Sequence, residues 1–250
     1  MFDCHSHILP GIDDGSKSVE ESMQLLRKFQ EQGVQVVLAT PHFYPDNKIE
    51  EFLSKRNKAF EELMEVVEAT QETLPKILRG AEVLLSIDTP NLPDLEALCI
   101  EGTRYILIEM PYANWSKWVY QAIHNIIANR GLIPILAHVE RYERVVHDIS
   151  KINRLLEMDV VVQVNAYSLL GSKKALALRL IKNNGAHVLG SDAHRAKTAV
   201  GVREAYEVVR KKLGKESADR LMANGKLVMK NQKIQKLESK PIKKVFNFYI

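Results

Sequence analysis

At 250 residues, 46% hydrophobic and 26% charged, the chain has the composition of one sizeable soluble domain, and no stretch approaches the roughly 18 apolar residues of a membrane span. Residues 226–250 hold seven lysines and one glutamate, so of the net charge of +4 the tail carries +6 and residues 1–225 about −2, a near-neutral body that argues against nucleic-acid binding. Cys4 and Cys99 offer no disulfide framework, and the start lacks the basic and apolar regions of a signal peptide, so a cytoplasmic location is expected.

Strand-like and helical segments alternate from end to end, the pattern of parallel βα units. The first strand, Met1-Phe2-Asp3-Cys4, leads into His5-Ser6-His7. Ser18-Val19-Glu20-Glu21 resembles a capping box. It opens a helix with Val19, Met23, Leu26 and Phe29 on one face, stopped at Gly33. Further strands are expected at 34–40, 77–83, 104–110, 132–137, 160–165 and 186–190, and helices at 47–72, 115–130, 149–158, 172–184 and 200–212. The 84–103 connection, with Pro90 and Pro93, leaves room for one short helix near 94–98. Seven strands in one domain, 1–225, fit a closed parallel barrel of α/β class. Residues 226–250 read as a basic, aromatic tail outside the core.

Polar residues recur where these strands end. His5 and His7 follow the first, His42 the second, Glu82 the third, Glu109 the fourth, His138 the fifth, and Asp192 and His194 the last, with Asp14 on the first loop. In a parallel barrel such positions converge on one face. His-Ser-His puts two imidazoles on one side of an extended segment, and Asp192-Ala193-His194 repeats that spacing. Five histidines and four carboxylates suit zinc, manganese or iron better than calcium or copper, and nine ligands suit two or three ions. Three divalent ions and four carboxylates leave about +2, a site that attracts a dianionic phosphate. Its nucleophile would be a metal-bridging hydroxide. Arginines outside the ligands would clamp phosphoryl oxygens. Arg141 is the best placed; Arg195 and Arg203 come second, and Asp14 joins these arginines among the catalytic candidates.

Each residue alone has a plainer reading. A single His, Glu or Asp near a strand end is more often structural, and Asp14 could be turn chemistry in Asp13-Asp14-Gly15. Asp3 reads as structural, and His124 and His147 as ordinary helix or loop residues. The joint pattern outweighs these readings. Gln163 and Asn165 are candidates to support the ligands. Arg104, Tyr112, Trp115 and Tyr142 are candidates for a pocket mouth, against helix packing for Trp115 and Trp118. A cysteine phosphatase is excluded, because Pro10 and Tyr105 stand where Cys-x5-Arg requires arginine. No P-loop is present.

His5-Ser-His7, Pro41-His42, Gly80-Ala-Glu82, Glu109, His138 and Asp192-Ala-His194 together resemble the PHP (polymerase and histidinol phosphatase) superfamily. The segments His5 to Gly15, Ala39-Thr-Pro-His42, Tyr105 to Glu109 and Ala137-His-Val-Glu-Arg141 are similar to one subgroup. It comprises the manganese-dependent bacterial protein-tyrosine phosphatases of capsule and exopolysaccharide loci (CpsB/YwqE type). The resemblance implies a distorted (β/α)7, TIM-like barrel and two to three divalent ions, Mn²⁺ first and Fe²⁺ or Zn²⁺ next. It implies one ion among His5, His7, Glu82 and Asp192, a second held by Glu82, Glu109 and His138, and a third held by Asp14, His42 and His194. Arg141 would bind phosphate, and either Arg195 or Arg203 would be the second arginine. The implied substrate is phosphotyrosine on a membrane-associated bacterial tyrosine kinase. A histidinol-phosphate phosphatase or other small-molecule phosphomonoesterase is the alternative on the same site. A non-catalytic scaffold in polysaccharide assembly is the alternative of another class. The tail, with Val245, Phe246, Phe248, Tyr249 and Ile250 among lysines, is a candidate for membrane contact, against a solubilising end.

Overall fold

The computed structural model describes residues 1–146, 148–198, 200–245 and 248–249; His147, Phe246 and Ile250 lie outside them. In chain order the elements are β1 (Phe2–Ser6), α1 (Val19–Glu31), β2 (Val36–Ala39), β3 (His42–Phe43), α2 (Ile49–Ala69), β4 (Lys76–Arg79), β5 (Glu82–Leu84), β6 (Tyr105–Glu109) and α3 (Lys117–Arg130). There follow β7 (Ile133–Leu136), α4 (Glu143–Val146), α5 (Ile149–Leu156), β8 (Val161–Asn165), α6 (Ala166–Leu170), α7 (Lys174–Lys182), β9 (Val188–Gly190), α8 (Val202–Leu213) and α9 (Lys215–Met229). The 84–103 connection forms two 3₁₀ turns, Thr89–Asn91 and Leu95–Leu98.

Apart from an antiparallel pair in the tail, Lys244–Val245 with Phe248–Tyr249, the strands make two parallel sheets, β1-β2-β4 and β3-β5-β6-β7-β8-β9. The expected strand 34–40 is β2, with a further short strand, β3, beyond Thr40-Pro41, and the expected strand 77–83 is broken at Gly80-Ala81 into β4 and β5. Pro41 has no N–H for a ladder. The chain stays continuous across the gap through Gly80 N to Ala39 O at 2.8 Å and Glu82 N to Pro41 O at 3.0 Å. This lets β3 and β5 join the larger sheet, where His42 pairs with Glu82 and Glu82 with Leu107. Past β9, Asp192 N donates to His5 O at 2.8 Å and His7 N to Ala193 O at 2.9 Å, tying the last strand to the first.

The core has two parts. The larger packs the helices on the sheets. The smaller draws on seven strands: Cys4, Leu38, Leu78, Tyr105 with Leu107, Ile135, Val161 and Val188. Helix α1 starts as its sequence implies: Ser18 Oγ accepts from Glu21 N at 3.3 Å, and Gly33 beyond the helix has φ +74°. Glu21, however, reaches Lys17 N rather than its own cap.

Helix α9 is the element the sequence hides. Asn224-Gly225 reads as a turn, yet both sit inside the helix. Gly225 allows a close approach: a Cβ there would lie 3.1 Å from that of Phe2, which would have to give by a few tenths of an ångström. The buried Asn224 amide donates to His187 O and Gln235 O. The boundary expected at 225 thus falls within α9, and the segment beyond it packs on the body. Ile234 and Ile242 are buried. The Asn153 amide brackets Ile242, donating to its O and accepting from its N, both at 2.8 Å. At the site end, a Cβ on Gly190 would come within 2.6 Å of His5 Cβ and 2.9 Å of Gln163 Nε2. Gly190→Ala is expected to destabilise the fold by about 1–3 kcal/mol, read as a lower urea midpoint at constant m; an unmoved midpoint would refute this packing.

Candidate metal centre

Six strands carry their polar residues to one place. His5 lies in β1, and His7 one residue past it; His42 opens β3, Glu82 opens β5 and Glu109 ends β6. His138 follows β7, and Asp192 and His194 follow β9. His138 (φ +33°) and Asp192 (φ +55°) occupy the left-handed region. Such strain, about 1–3 kcal/mol per residue, persists where surroundings enforce it. Asp3 supplies part of that enforcement. Its carboxylate accepts from Ser191 N at 2.5 Å and Ser191 Oγ at 2.7 Å, pinning the loop that carries Asp192.

The structure brings all nine candidate ligands together. Their donor atoms form four groups, each within 4.8 Å: His7, Asp14, His42 and His194; His5, Glu82 and His138; His5, His7 and Asp192; and His42, Glu82 and Glu109. Glu82 is the hub, fully buried. Its Oε2 lies 3.1 Å from His5 Nε2, 3.2 Å from His7 Nε2 and 3.2 Å from His42 Nδ1, and its Oε1 3.0 Å from His138 Nε2. Asp14 stands at the solvent edge, 3.5 Å from His42 and 3.4 Å from His194.

The donor set fits cations. Gln163 Oε1 accepts from His138 N at 2.8 Å, which fixes the amide, so His5 Nδ1 must donate to that same oxygen at 3.3 Å. His7 Nδ1 donates to Asp13 Oδ2 at 2.7 Å. In the neutral rings both Nε2 atoms then bear lone pairs, and they face each other at 3.1 Å. Glu82 Oε2 lies among these nitrogens buried and without a hydrogen-bond donor. Lone pairs and a carboxylate converging in this way are what divalent ions satisfy.

The electrostatics agree. Burial and the charge of Glu82 push Glu109 up to about 7. Burial would raise Asp192 too, but His5, His138 and His7 outweigh it and hold Asp192 at about 2. Burial would lower His7, yet Asp13 and Glu82 carry it to about 10. A divalent cation would reverse the shifts of Glu109 and His7 together.

The arginines divide. Arg141 NH1 donates to Asp192 Oδ2 at 2.8 Å, at the edge of the cluster. Arg195 adjoins His194 and is held by Glu21 at 2.9 Å. Arg203 is not brought to the site: it binds the Glu31 and Gln32 carbonyls at the far end of α1. Among the pocket-mouth candidates Tyr112 and Arg104 are exposed, but only Tyr112 lies beside the cluster. Tyr142 and Trp115 are buried, and Arg104 precedes β6, at the opposite end of the sheet. Trp118 is half-buried and packs on the core, and His124 is an exposed residue of α3.

The sequence profile described as capsular polysaccharide synthesis, CpsB/CapC, matches residues 1–230. The chain belongs to this family. It is 31% identical over 258 residues to the tyrosine-protein phosphatase YwqE of Bacillus subtilis, covering 100% of both chains. With the tyrosine-protein phosphatase CpsB of Streptococcus pneumoniae it shares 29% identity, covering 92% of this chain and 98% of that one. Crystal structures of YwqE and CpsB from these bacteria are described as those of unique metal-dependent tyrosine phosphatases. The match to them has a TM-score of 0.84 at 29% identity and covers 98% of this chain and 100% of the other.

In this member of the family, β8 contributes none of the nine candidate ligands but hydrogen-bonds to three of them. Gln163 Oε1 serves His5 and His138, its Nε2 donates to Asn165 Oδ1 at 2.7 Å, and Asn165 Nδ2 donates to Asp192 Oδ2 at 2.9 Å. Glu140, fully buried and pushed by that burial to about 7, accepts from Asn165 N at 3.1 Å. Gln163 and Asn165 stand two apart on β8, so strand alternation puts both side chains on the same face. Asp13 was missed, since nothing local separates it from Asp14. Asn165→Ala is expected to weaken metal binding about 10–100-fold with the fold intact, measured by calorimetric titration of Mn²⁺ into chelated protein. Parental affinity would show the relay to be incidental.

Proposed function

We infer that the chain is a metal-dependent protein-tyrosine phosphatase serving capsule or exopolysaccharide synthesis. One observation carries this reading: nine convergent His, Asp and Glu side chains in a chain matched along its full length by a tyrosine-protein phosphatase. His5, His7, Glu82 and Asp192 would hold one cation, Glu82, Glu109 and His138 a second, and Asp14, His42 and His194 a third. Manganese comes first for this mixed N/O set, with iron or zinc next. When bound, such ions supply Lewis-acid charge to a phosphoryl group and activate water.

The chain's own groups do the rest. Asp13 and Gln163 fix the tautomers of His7 and His5. Arg141, anchored through NH1 to Asp192, keeps Nε and NH2 for phosphoryl oxygens. Hydrolysis forms a bond from water oxygen to phosphorus and breaks the bond from phosphorus to the aryl oxygen. The departing phenolate, whose conjugate acid has a pKa of about 10, leaves without a dedicated general acid.

Catalysis at one sheet end is what a closed, distorted (β/α)7 circuit provides. The hydrogen bonds from β1 to the segment after β9, and the inner cluster drawn from seven strands, support that reading of the two sheets. A cytoplasmic enzyme acting on a membrane-associated tyrosine kinase is the setting we assign; among the described residues no helix is long and apolar enough to cross a membrane. The tail's Ile234 and Ile242 pack on the body, so no membrane role is assigned to them.

Chelation tests the reading. Stripped protein should lose phosphate release from a phosphotyrosine peptide and regain it with Mn²⁺, but not in His42→Ala. Saturating metal at about 100 times its Kd should add about 2.7 kcal/mol of stability, visible as a raised Tm. Turnover that survives chelation would reject a metal enzyme. Preference for histidinol phosphate would move the same site to small-molecule esters.

A further inference from the structure

Arg56, on α2, is a buried arginine without a counter-ion. It is 7% exposed, and among the described residues it forms no ion pair. Its NH1 donates to Gly80 O at 3.0 Å, while its Nε is buried with no acceptor. The guanidinium carbon stands over the Phe52 ring, 5.8 Å from the centroid. Burial and the neighbouring Arg79 lower the guanidinium to about 10, so it is still charged at neutral pH. A buried charge with an unmet donor is costly unless something pairs it. Holding Gly80 O occupies one edge of the fork and leaves the edge formed by Nε and NH2 unused.

Arg56 lines a cavity of about 330 Å³ between α2, the end of β4 and residues 96–103. None of the nine candidate metal ligands lines it. The other charges on its wall are already matched. Arg79 donates to Glu101 through Nε at 3.1 Å and NH2 at 2.6 Å, and Glu96 pairs with Arg130 at 3.4 Å. The wall therefore holds Arg56 and Arg79 against Glu96 and Glu101, but Arg130 neutralises Glu96 from outside it. The charge left over is that of Arg56. Arg79 NH1 also donates to Asn57 Oδ1 at 3.3 Å. An arginine can only donate, so this contact fixes the Asn57 amide and leaves its Nδ2 as a further donor on the same wall.

We propose that this cavity binds a small free oxyanion, a phosphate or a carboxylate, held by Nε and NH2 of Arg56 with Asn57 Nδ2 beside them. A guanidinium edge matches two oxygens of either anion in fork geometry. NH1 stays on Gly80 O, so the anion and the strand break share one side chain, and Gly80 lies two residues before Glu82. Forming the site requires no residue of the metal cluster.

The test is thermal unfolding of the Mn²⁺-loaded full chain in sodium phosphate, acetate or chloride at one ionic strength. Phosphate also reaches the metal ions, but that contribution is common to parent and variant and cancels in their difference. Over chloride, the parent should gain more Tm from phosphate, acetate or both than Arg56→Met does. The apparent dissociation constant of the anion should rise at least about tenfold in the variant. A gain from one anion alone names it, and a gain from both shows that the fork accepts either. Arg56→Lys guards against a folding defect. It keeps a charge and a donor for Gly80 O but loses the fork, so it should show the same weakening while binding Mn²⁺ as the parent does in calorimetric titration. Equal gains in the parent and both variants would overturn the site. So would Arg56→Lys losing Mn²⁺ affinity in step with the anion effect, because Arg56 would then serve Glu82 through Gly80 rather than a ligand.

Discussion

Glu82→Gln is expected to abolish metal loading and to lower kcat/KM for a phosphotyrosine peptide by about 10³-fold or more. The reason lies in the company Glu82 keeps. Its two oxygens are buried within 3.0–3.2 Å of four imidazole nitrogens, from His5, His7, His42 and His138. Glutamine has nearly the same shape but loses the charge, and its NH₂ cannot serve as a ligand. Removing one partner from a buried charge cluster also costs about 3–5 kcal/mol, so the chelated variant should melt below the chelated parent. The pH dependence of that difference has a defined sign. In the chelated parent, burial pulls His7 down, but Asp13 and Glu82 outweigh it and raise it from 6.5 to about 10. A raised folded-state pKa contributes stability that is fully present below about 6.5 and is lost as pH climbs towards 10. Without Glu82 that window narrows, and the gap in Tm between parent and variant should shrink at high pH. Metal content by atomic emission is the deciding measurement. Full loading, with activity within about tenfold of the parent, would remove Glu82 from the centre of the site.

The contrast between what could and could not be read from the residues follows from range of interaction. Eight of the nine polar residues were legible because each sits at or just past the end of a short apolar run, and a parallel arrangement sends such positions to one side; Asp14 lies on the first loop. The extra strand past Pro41 and the break at Gly80-Ala81 were not. They depend on Pro41 lacking a donor and on hydrogen bonds such as Gly80 N to Ala39 O, which join residues far apart in sequence. Helix α9 was hidden because Asn-Gly ordinarily marks a turn. Here the amide of Asn224 and the bare backbone of Gly225 answer to His187, Gln235 and Phe2 across the structure. The choice between Asp13 and Asp14 was likewise invisible locally. A Cβ on Gly15 would come within 2.3 Å of His7 O, and this close approach turns Asp13 inward to His7 and leaves Asp14 at the rim. Sequence spacing left Arg195 and Arg203 equivalent. Only the fold shows that Arg203 holds the carbonyls ending α1.

Arg141→Ala should leave the metal content at the parental level while lowering kcat/KM about 10²–10³-fold. The two effects separate because Asp192 has two supports. Asn165 Nδ2 donates to the same Oδ2 at 2.9 Å that Arg141 NH1 reaches at 2.8 Å, so losing the arginine does not free the carboxylate. What is lost is a guanidinium, about two-fifths exposed, whose Nε and NH2 make no hydrogen bond among the described residues and would be available to phosphate. Arg141→Lys should recover only part of the activity. An ammonium keeps the charge but cannot hold Asp192 and two phosphoryl oxygens in one plane. Arg203→Ala serves as the control: its guanidinium caps α1 far from the cluster, so turnover should be unaltered and only the Tm should fall. Arg195, restrained by Glu21 beside His194, should give an intermediate loss. If Arg141→Ala instead shed its metal in step with its activity, Arg141 would be a support for Asp192 rather than a phosphate clamp. Inorganic phosphate inhibition distinguishes these directly, since a lost clamp raises the phosphate inhibition constant in a fully loaded enzyme, and a lost support does not.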